Sequence, residues 1–182
     1  MATAIVLLAG CASTPKTFFN EDPAADFSAY HTYGFPGTLG TDDKAGYTSL
    51  LSKYLMAAAS RELEARGYQR SDNPDLLVDF SLHTKEKIRT TSTPTAGAYY
   101  GGYRGYGGWG GYAGYETQVT QYTEGALSIA LVDAKKNQLV WEGIAQGRIN
   151  DDARKNLQSS VDQVVALLFR SYPHRAGQAN AA

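Results

Sequence analysis

Leu8-Ala9-Gly10-Cys11 is the stretch whose residue types and spacing best define a reaction. The small side chains of Ala9 and Gly10 let a peptidase groove approach the backbone. The Cys11 thiol is the one nucleophile there able to take a diacylglyceryl group. The pattern reads as a bacterial lipobox: cleavage before Cys11, then acylation of its sulfur and its freed amine with fatty chains such as palmitate. The preceding run Ala4-Ile5-Val6-Leu7-Leu8-Ala9 falls far short of the ~20 apolar residues of a spanning helix, so it serves as a removable signal rather than an anchor. No Lys or Arg precedes it, whereas secretory signals open with positive charge, so the written start is expected to lie inside the true signal. The alternative is a buried N-terminal strand with an incidental cysteine.

Cys11 is the only cysteine, so no internal disulfide can form, and in an oxidising compartment a free thiol is a hazard that acylation removes. One lipid chain holds a protein only marginally, and each buried methylene contributes about 0.8 kcal/mol, so the two or three chains of a bacterial lipoprotein anchor it stably. Ala12 rather than Asp follows the cysteine, which in bacterial lipoproteins looks like a signal for the outer membrane. The expected address is therefore the periplasmic face of that membrane, with the covalent lipid on Cys11 as the membrane contact.

A second constellation lies in the segment 97–115, which holds 9 of the 19 glycines and 6 of the 13 tyrosines. So much glycine is entropically costly to order and has no periodic apolar face. The segment is therefore placed as a flexible connection between two strands, with an end-to-end reach of about 25 Å. Tyr99, Tyr100, Tyr103, Tyr106, Trp109, Tyr112 and Tyr115 offer flat faces with a polar handle for stacking on sugars or on one another, and Arg104 could add a cation–π contact. Three readings stand: a long hairpin extension without a dedicated ligand, weak self-association or adhesion, and glycan or peptidoglycan stacking. Gly105, Gly107 and Gly110 spell the spacing of a dinucleotide fingerprint, but with this much glycine it arises freely, and no βαβ unit surrounds it.

The remaining residue types offer little for catalysis. His31 and His83 fall in expected strands and His174 in the tail, without the i, i+4 pairing or cysteine partner of a metal site, and each reads as a surface residue. The nucleophile elbow, the phosphate-binding loop and the zinc-protease helix pattern are missing from the sequence. Asp79 and Glu142 could face each other as carboxylates on neighbouring strands, yet exposed acids on a wet sheet face are the commoner arrangement. Trp141, between Val140 and Glu142 in a strand, reads as a core anchor before a ligand-stacking residue. We expect no enzyme, cofactor or metal, with an envelope hydrolase of unrecognised site as the competing class. Lys and Arg total 17 against 18 Asp and Glu, a net charge of −1, which excludes a nucleic-acid footprint and gives no sign of a basic patch for anionic lipid. An envelope protein or a glycan remains the candidate partner, and oligomeric state is open.

The elements that must position these residues follow from hydrophobic periodicity. Phe27, Tyr33 and Phe35 share one parity and predict a first strand, ended by Pro36-Gly37. From about Gly46, Tyr47, Leu50, Leu51, Tyr54, Leu55, Ala58, Ala59 and Leu63 recur at helical spacing, with Gly67 as a left-handed stop and Tyr68 folding back. Leu76, Val78, Phe80 and Leu82 alternate as a strand with one wet face. Leu127, Ile129 and Leu131 begin a hairpin that turns through Ala134–Asn137 into Leu139–Ile144, with Gly125 as a possible bulge. Asn150 caps a last helix carrying Leu157, Val161, Val164, Val165, Leu168 and Tyr172. The expected fold is α+β: a mostly antiparallel four-stranded sheet with two amphipathic helices packed on one face, in the order β-α-β-β-β-α. Residues 1–10 are the signal, 11–26 a lipidated tether, 27–173 one domain, and 174–182 a tail that carries nothing to order it.

The lipobox, Tyr30-His31-Thr32-Tyr33-Gly34-Phe35, Asn73-Pro74-Asp75-Leu76-Leu77-Val78, Leu139-Val140-Trp141-Glu142-Gly143 and the closing Tyr172-Pro173 occur in an order that resembles a bacterial lipoprotein family, domain of unknown function 4136. The resemblance spans most of the mature chain. It implies an envelope lipoprotein with a small α+β domain, and it brings no established catalytic residues.

Overall fold

The computed structural model describes residues 14–43, 45–95 and 114–178. Cys11 lies outside them, as do Tyr99, Tyr100, Tyr103, Arg104, Tyr106, Trp109 and Tyr112. The strands are β1 (Lys16–Glu21), β2 (Thr32–Gly34), β3 (Gln69–Arg70), β4 (Leu76–Thr95), β5 (Gly114–Asp133) and β6 (Gln138–Arg148). The helices are α1 (Leu50–Glu64), α2 (Asp151–Lys155) and α3 (Leu157–Phe169), with a 3-10 turn at Phe27–Ala29. The strands form one sheet in the order β1-β6-β5-β4-β2-β3. β2 runs parallel to both β3 and β4, and the other pairs are antiparallel.

This corrects the four-stranded, mostly antiparallel expectation with two helices: the sheet is mixed and six-stranded, and there are three helices. Each difference has a local cause. Lys16–Glu21, assigned to the tether, is an edge strand because backbone pairing to β6 and one inward ring suffice: Phe19 stacks on Trp141 at 6.3 Å, while Phe18 is half-exposed on the other face. The aromatic run expected from Phe27 breaks because Asp26 accepts from the Ser28 N–H at 3.1 Å and caps the 3-10 turn, leaving only Thr32–Gly34 as strand. The last helix splits at Asn156, whose backbone (φ −114°, ψ 49°) leaves the helical region.

The core forms on one face of the sheet. The alternation Leu76, Val78, Phe80 on β4 meets Ile129 and Leu131 on β5 and Trp141 on β6, all buried. Leu55, Ala58, Ala59 and Leu63 of α1 and Val161, Val165, Leu168 and Phe169 of α3 complete the same core. α1 starts at Leu50, later than the periodicity suggests, because Ser49 is the residue that caps it, accepting from the Ser52 N–H at 3.1 Å. Tyr47 and Leu50 are left exposed. Gly67 ends the helix at φ +90°, and the Tyr68 N–H returns to the Leu63 carbonyl at 3.1 Å.

The described part of the tail, as far as Gln178, packs on the domain. His174 is buried, its ring lies flat on Phe27 at 3.6 Å, and its Nε2 is 2.9 Å from the Glu21 carboxylate. The Ala176 N–H donates to the Arg66 carbonyl and the Gly177 N–H to that of Tyr30, both at 3.1 Å. The expected surface histidine thus closes the core and joins the end of the chain to β1.

Candidate functional site

β4 and β5 are each 20 residues long, far longer than the other strands. β6 pairs with β5 only as far as Arg148↔Glu124. Beyond that rung β4 and β5 continue as a pair from Glu86↔Thr123 to Thr95↔Gly114, with Thr123 still held by the Ile149 N–H at 3.0 Å and by Arg154 at 3.1 Å. At ~3.3 Å per residue this two-stranded arm projects roughly 33 Å past Lys85. Gly114 and Tyr115, read as part of the connecting segment, belong by their backbone to β5.

Alternation along Lys85-Glu86-Lys87-Ile88-Arg89 sorts the arm into two unlike faces. Lys85, Lys87 and Arg89 share a face with Tyr122 and Glu124, and the register carries it on to Arg148 and, through Gln146, to Lys16. Lys87 pairs with Glu124, and this contact raises the lysine pKa and lowers the carboxylate's. The Arg148 guanidinium sits 3.9 Å from the Tyr122 ring centroid. Glu124 is the carboxylate among these described side chains. A shallow groove of about 330 Å³ runs at the base, lined by His83, Lys85, Lys87, Glu124 and Gln146. The opposite face carries Glu86, Ile88, Val119 and Gln121, with Gln121 donating to Glu86 at 2.9 Å.

Chain-wide charge gave no basic patch for anionic lipid, whereas the register gathers Lys85, Lys87, Arg89, Arg148 and Lys16 on one face of the sheet. A chain-wide charge near zero averages over surfaces that period-2 geometry separates, and the alternating cations of residues 85–89 were the signal available in the sequence. Gly125 sits at the base of the arm in regular register with Thr84 and Gly147, while the β5–β6 bulge falls at Leu131/Val132. A Cβ on Gly125 would meet Ile149 Cδ1 at 2.7 Å, so close approach rather than a bulge explains this glycine.

The carboxylates considered for catalysis are brought to one face but not to each other. Asp79 and Glu142 both pair with Ala130, from opposite sides, with β5 between them. Glu142 accepts from Ser128 Oγ at 2.7 Å, and Asp79 from the Gly40 N–H at 2.9 Å. His31 and His83 are exposed. Among the described residues no group of three His, Cys, Asp or Glu gathers to hold a metal ion, and no helix is long and apolar enough to cross a membrane. A wider open groove of about 610 Å³ lies between the start of α1 and the α2–α3 junction, lined by Leu50, Tyr54, Arg154, Asn156, Leu157 and Asp162.

Fold and site together define a small α+β domain that presents a projecting hairpin beside its amino-terminal edge strand. The chain belongs to the family described as Domain of unknown function (DUF4136), whose model matches residues 18–174. Among solved structures it resembles a PDZ domain protein from Parabacteroides distasonis, with 15% identity and a TM-score of 0.55 over 88% of this chain. The match covers 35% of that protein, so this chain spans about a third of its length, and the likeness concerns the fold alone. A PelC dodecamer from Paraburkholderia phytofirmans matches at 12% identity and a TM-score of 0.47, over 88% of this chain and 98% of that one. A minor lipoprotein from Acinetobacter baumannii matches at 12% identity and a TM-score of 0.32, over 78% and 89%. No curated protein matches the chain.

Proposed function

We propose that the protein is a lipid-anchored module of the bacterial envelope, held by acylated Cys11 at the periplasmic face of the outer membrane and working by contact rather than catalysis. The observation that carries this reading is the placement of β1. It begins at Lys16, five residues after Cys11, and pairs with β6 along its whole length, so lipid on Cys11 would be coupled directly to the sheet. The lipobox supplies the acylation chemistry, and Ala12 supports the outer membrane as destination. Asp79 and Glu142 each serve a structural hydrogen bond, which favours contact over acid–base chemistry. The aromatic residues of the segment between β4 and β5 are a further candidate surface for a glycan or an envelope protein.

The test is intact-mass analysis of the native protein together with fractionation of Cys11→Ser. Acyl groups on Cys11, and loss of both fatty-acid labelling and membrane retention in the variant, are expected. An unmodified thiol on a soluble product overturns the anchoring. Turnover of any envelope substrate by the purified protein, abolished by replacing Asp79 or Glu142, overturns the non-catalytic part.

A further inference from the structure

β1 enters the sheet at the base of the arm. Lys16 pairs with Gln146, which pairs with Ala126, and one rung further on Glu124 joins Arg148 to Lys85. The end of the sheet nearest Cys11 is therefore the end from which the arm projects. Five residues of extended chain reach at most ~18 Å, whereas the arm runs on for roughly 33 Å. If Cys11 carries lipid, as proposed above, the bilayer surface lies closer to Lys16 than the arm is long. An arm pointing along the membrane normal would be driven into hydrocarbon. There Arg89 and the unpaired backbone groups on both edges of a two-stranded ribbon would be left without water, at heavy cost. The arm must run along the surface and turn one face to it.

The chemistry of the two faces decides which. Lys16, Lys85, Lys87, Arg89 and Arg148 lie on one, with Glu124 among them and Asp79 and Glu142 further along the same sheet face; the other carries Glu86, opposite Thr123, whose hydroxyl accepts from Arg154 Nη2 at 3.1 Å. Aliphatic stems beneath the cations and the Tyr122 ring under Arg148 suit a headgroup layer, where an apolar body and a charged tip are both accommodated. We infer that the face formed by Lys16, Lys85, Lys87, Arg89 and Arg148 lies against an anionic phospholipid surface beside the anchor, setting the orientation of the domain on its membrane.

The experiment uses the full chain carrying Cys11→Ser, so that no acyl group contributes. Sedimentation is measured with vesicles of phosphatidylethanolamine and phosphatidylglycerol, and with vesicles of phosphatidylcholine alone. Binding is expected to the anionic vesicles only, and to vanish in 1 M salt, where the screening length is about 3 Å. Each basic residue near an anionic surface is worth about fivefold in partitioning, so Lys85→Gln/Lys87→Gln/Arg89→Gln should lower binding on the order of a hundredfold and Arg89→Gln alone about fivefold. The single change serves if the triple variant loses its native circular dichroism. A second triple variant, Lys53→Gln/Lys155→Gln/Arg170→Gln, removes three exposed cations elsewhere and should leave binding nearly intact.

Equal binding to both vesicle types, equal losses in the two triple variants, or binding to purified peptidoglycan with both vesicle types ignored would overturn the assignment. Because the assayed chain is unacylated, its failure leaves the anchoring of Cys11 standing. An unmodified native Cys11 would equally leave the vesicle result intact.

Discussion

At the scale of single residues, Trp141 is closely held within the core. The indole is fully buried, 5.9 Å from the Phe169 ring and 5.1 Å from that of Tyr172, and a Cβ on Gly143 would meet its Cη2 at 2.6 Å. Gly143→Ala should destabilise by about 1–3 kcal/mol in urea denaturation, because an indole packed on three sides cannot step aside. Gly125→Ala should cost less, since the atom it meets is the free end of Ile149. Asp75 gives a pH prediction. Burial pushes its carboxyl up, but the His31 and Thr32 N–H groups and the Thr32 hydroxyl, at 2.9–3.1 Å, outweigh this and hold it below the usual carboxylate value. A folded value below the unfolded one means stability that is present above about pH 4 and lost as pH falls through the folded value. The urea midpoint should therefore hold steady above about pH 5 and drop below pH 4. Asp75→Asn should weaken the protein by about 1–3 kcal/mol at neutral pH and flatten that acid limb. Trp141 was legible as a core anchor because it shares a strand with the apolar Val140 and Ile144. His174 was not, because its burial depends on Phe27 and Glu21, about 150 residues away.

At the scale of elements, caps and periodicity carried most of what could be read. Asn150 accepts from the Ala153 N–H at 2.8 Å, and Asn150→Ala should cost about 1 kcal/mol of thermal or chemical stability. Gly67→Ala, at φ +90°, should cost about 1–2 kcal/mol by the same measurement, because a side chain disfavours that backbone conformation. Both positions stood out in the sequence because the chemistry that ends a helix is local. α1 and the first half of β4 were legible for the same reason: one face is buried, so the apolar residues keep strict time. β1, β2 and β3 were not. β1 has one inward but still partly exposed ring, Phe19, and an exposed edge, and β2 and β3 are too short to show a period, so backbone pairing specifies them. Among its described side chains the outer half of the arm contributes no core residue, and nothing in its polar alternation separates a strand from a loop.

At the scale of the whole molecule, core and arm are energetically separate. Among the described residues none from Lys85 to Glu124 belongs to the buried core, which closes with Phe80 and Leu127. Replacing residues 86–123 by a two-residue turn should therefore leave the melting temperature within a few degrees of the parent, while abolishing whatever the arm binds. A large loss of stability would show that the ribbon supports the domain it leaves. The location of the cationic surface was hidden at this scale, because the balance of 17 basic against 18 acidic residues describes the chain and not its faces. The route of the chain through β1 has a mechanical consequence. The strand runs away from the base of the arm, and His174 grips its far end at Glu21. A pull through the segment before Lys16, directed past that base, loads the β1–β6 ladder in shear, straining its hydrogen bonds together instead of peeling them one at a time. Were Cys11 the anchor proposed above, the domain would meet tension from it in this more resistant direction.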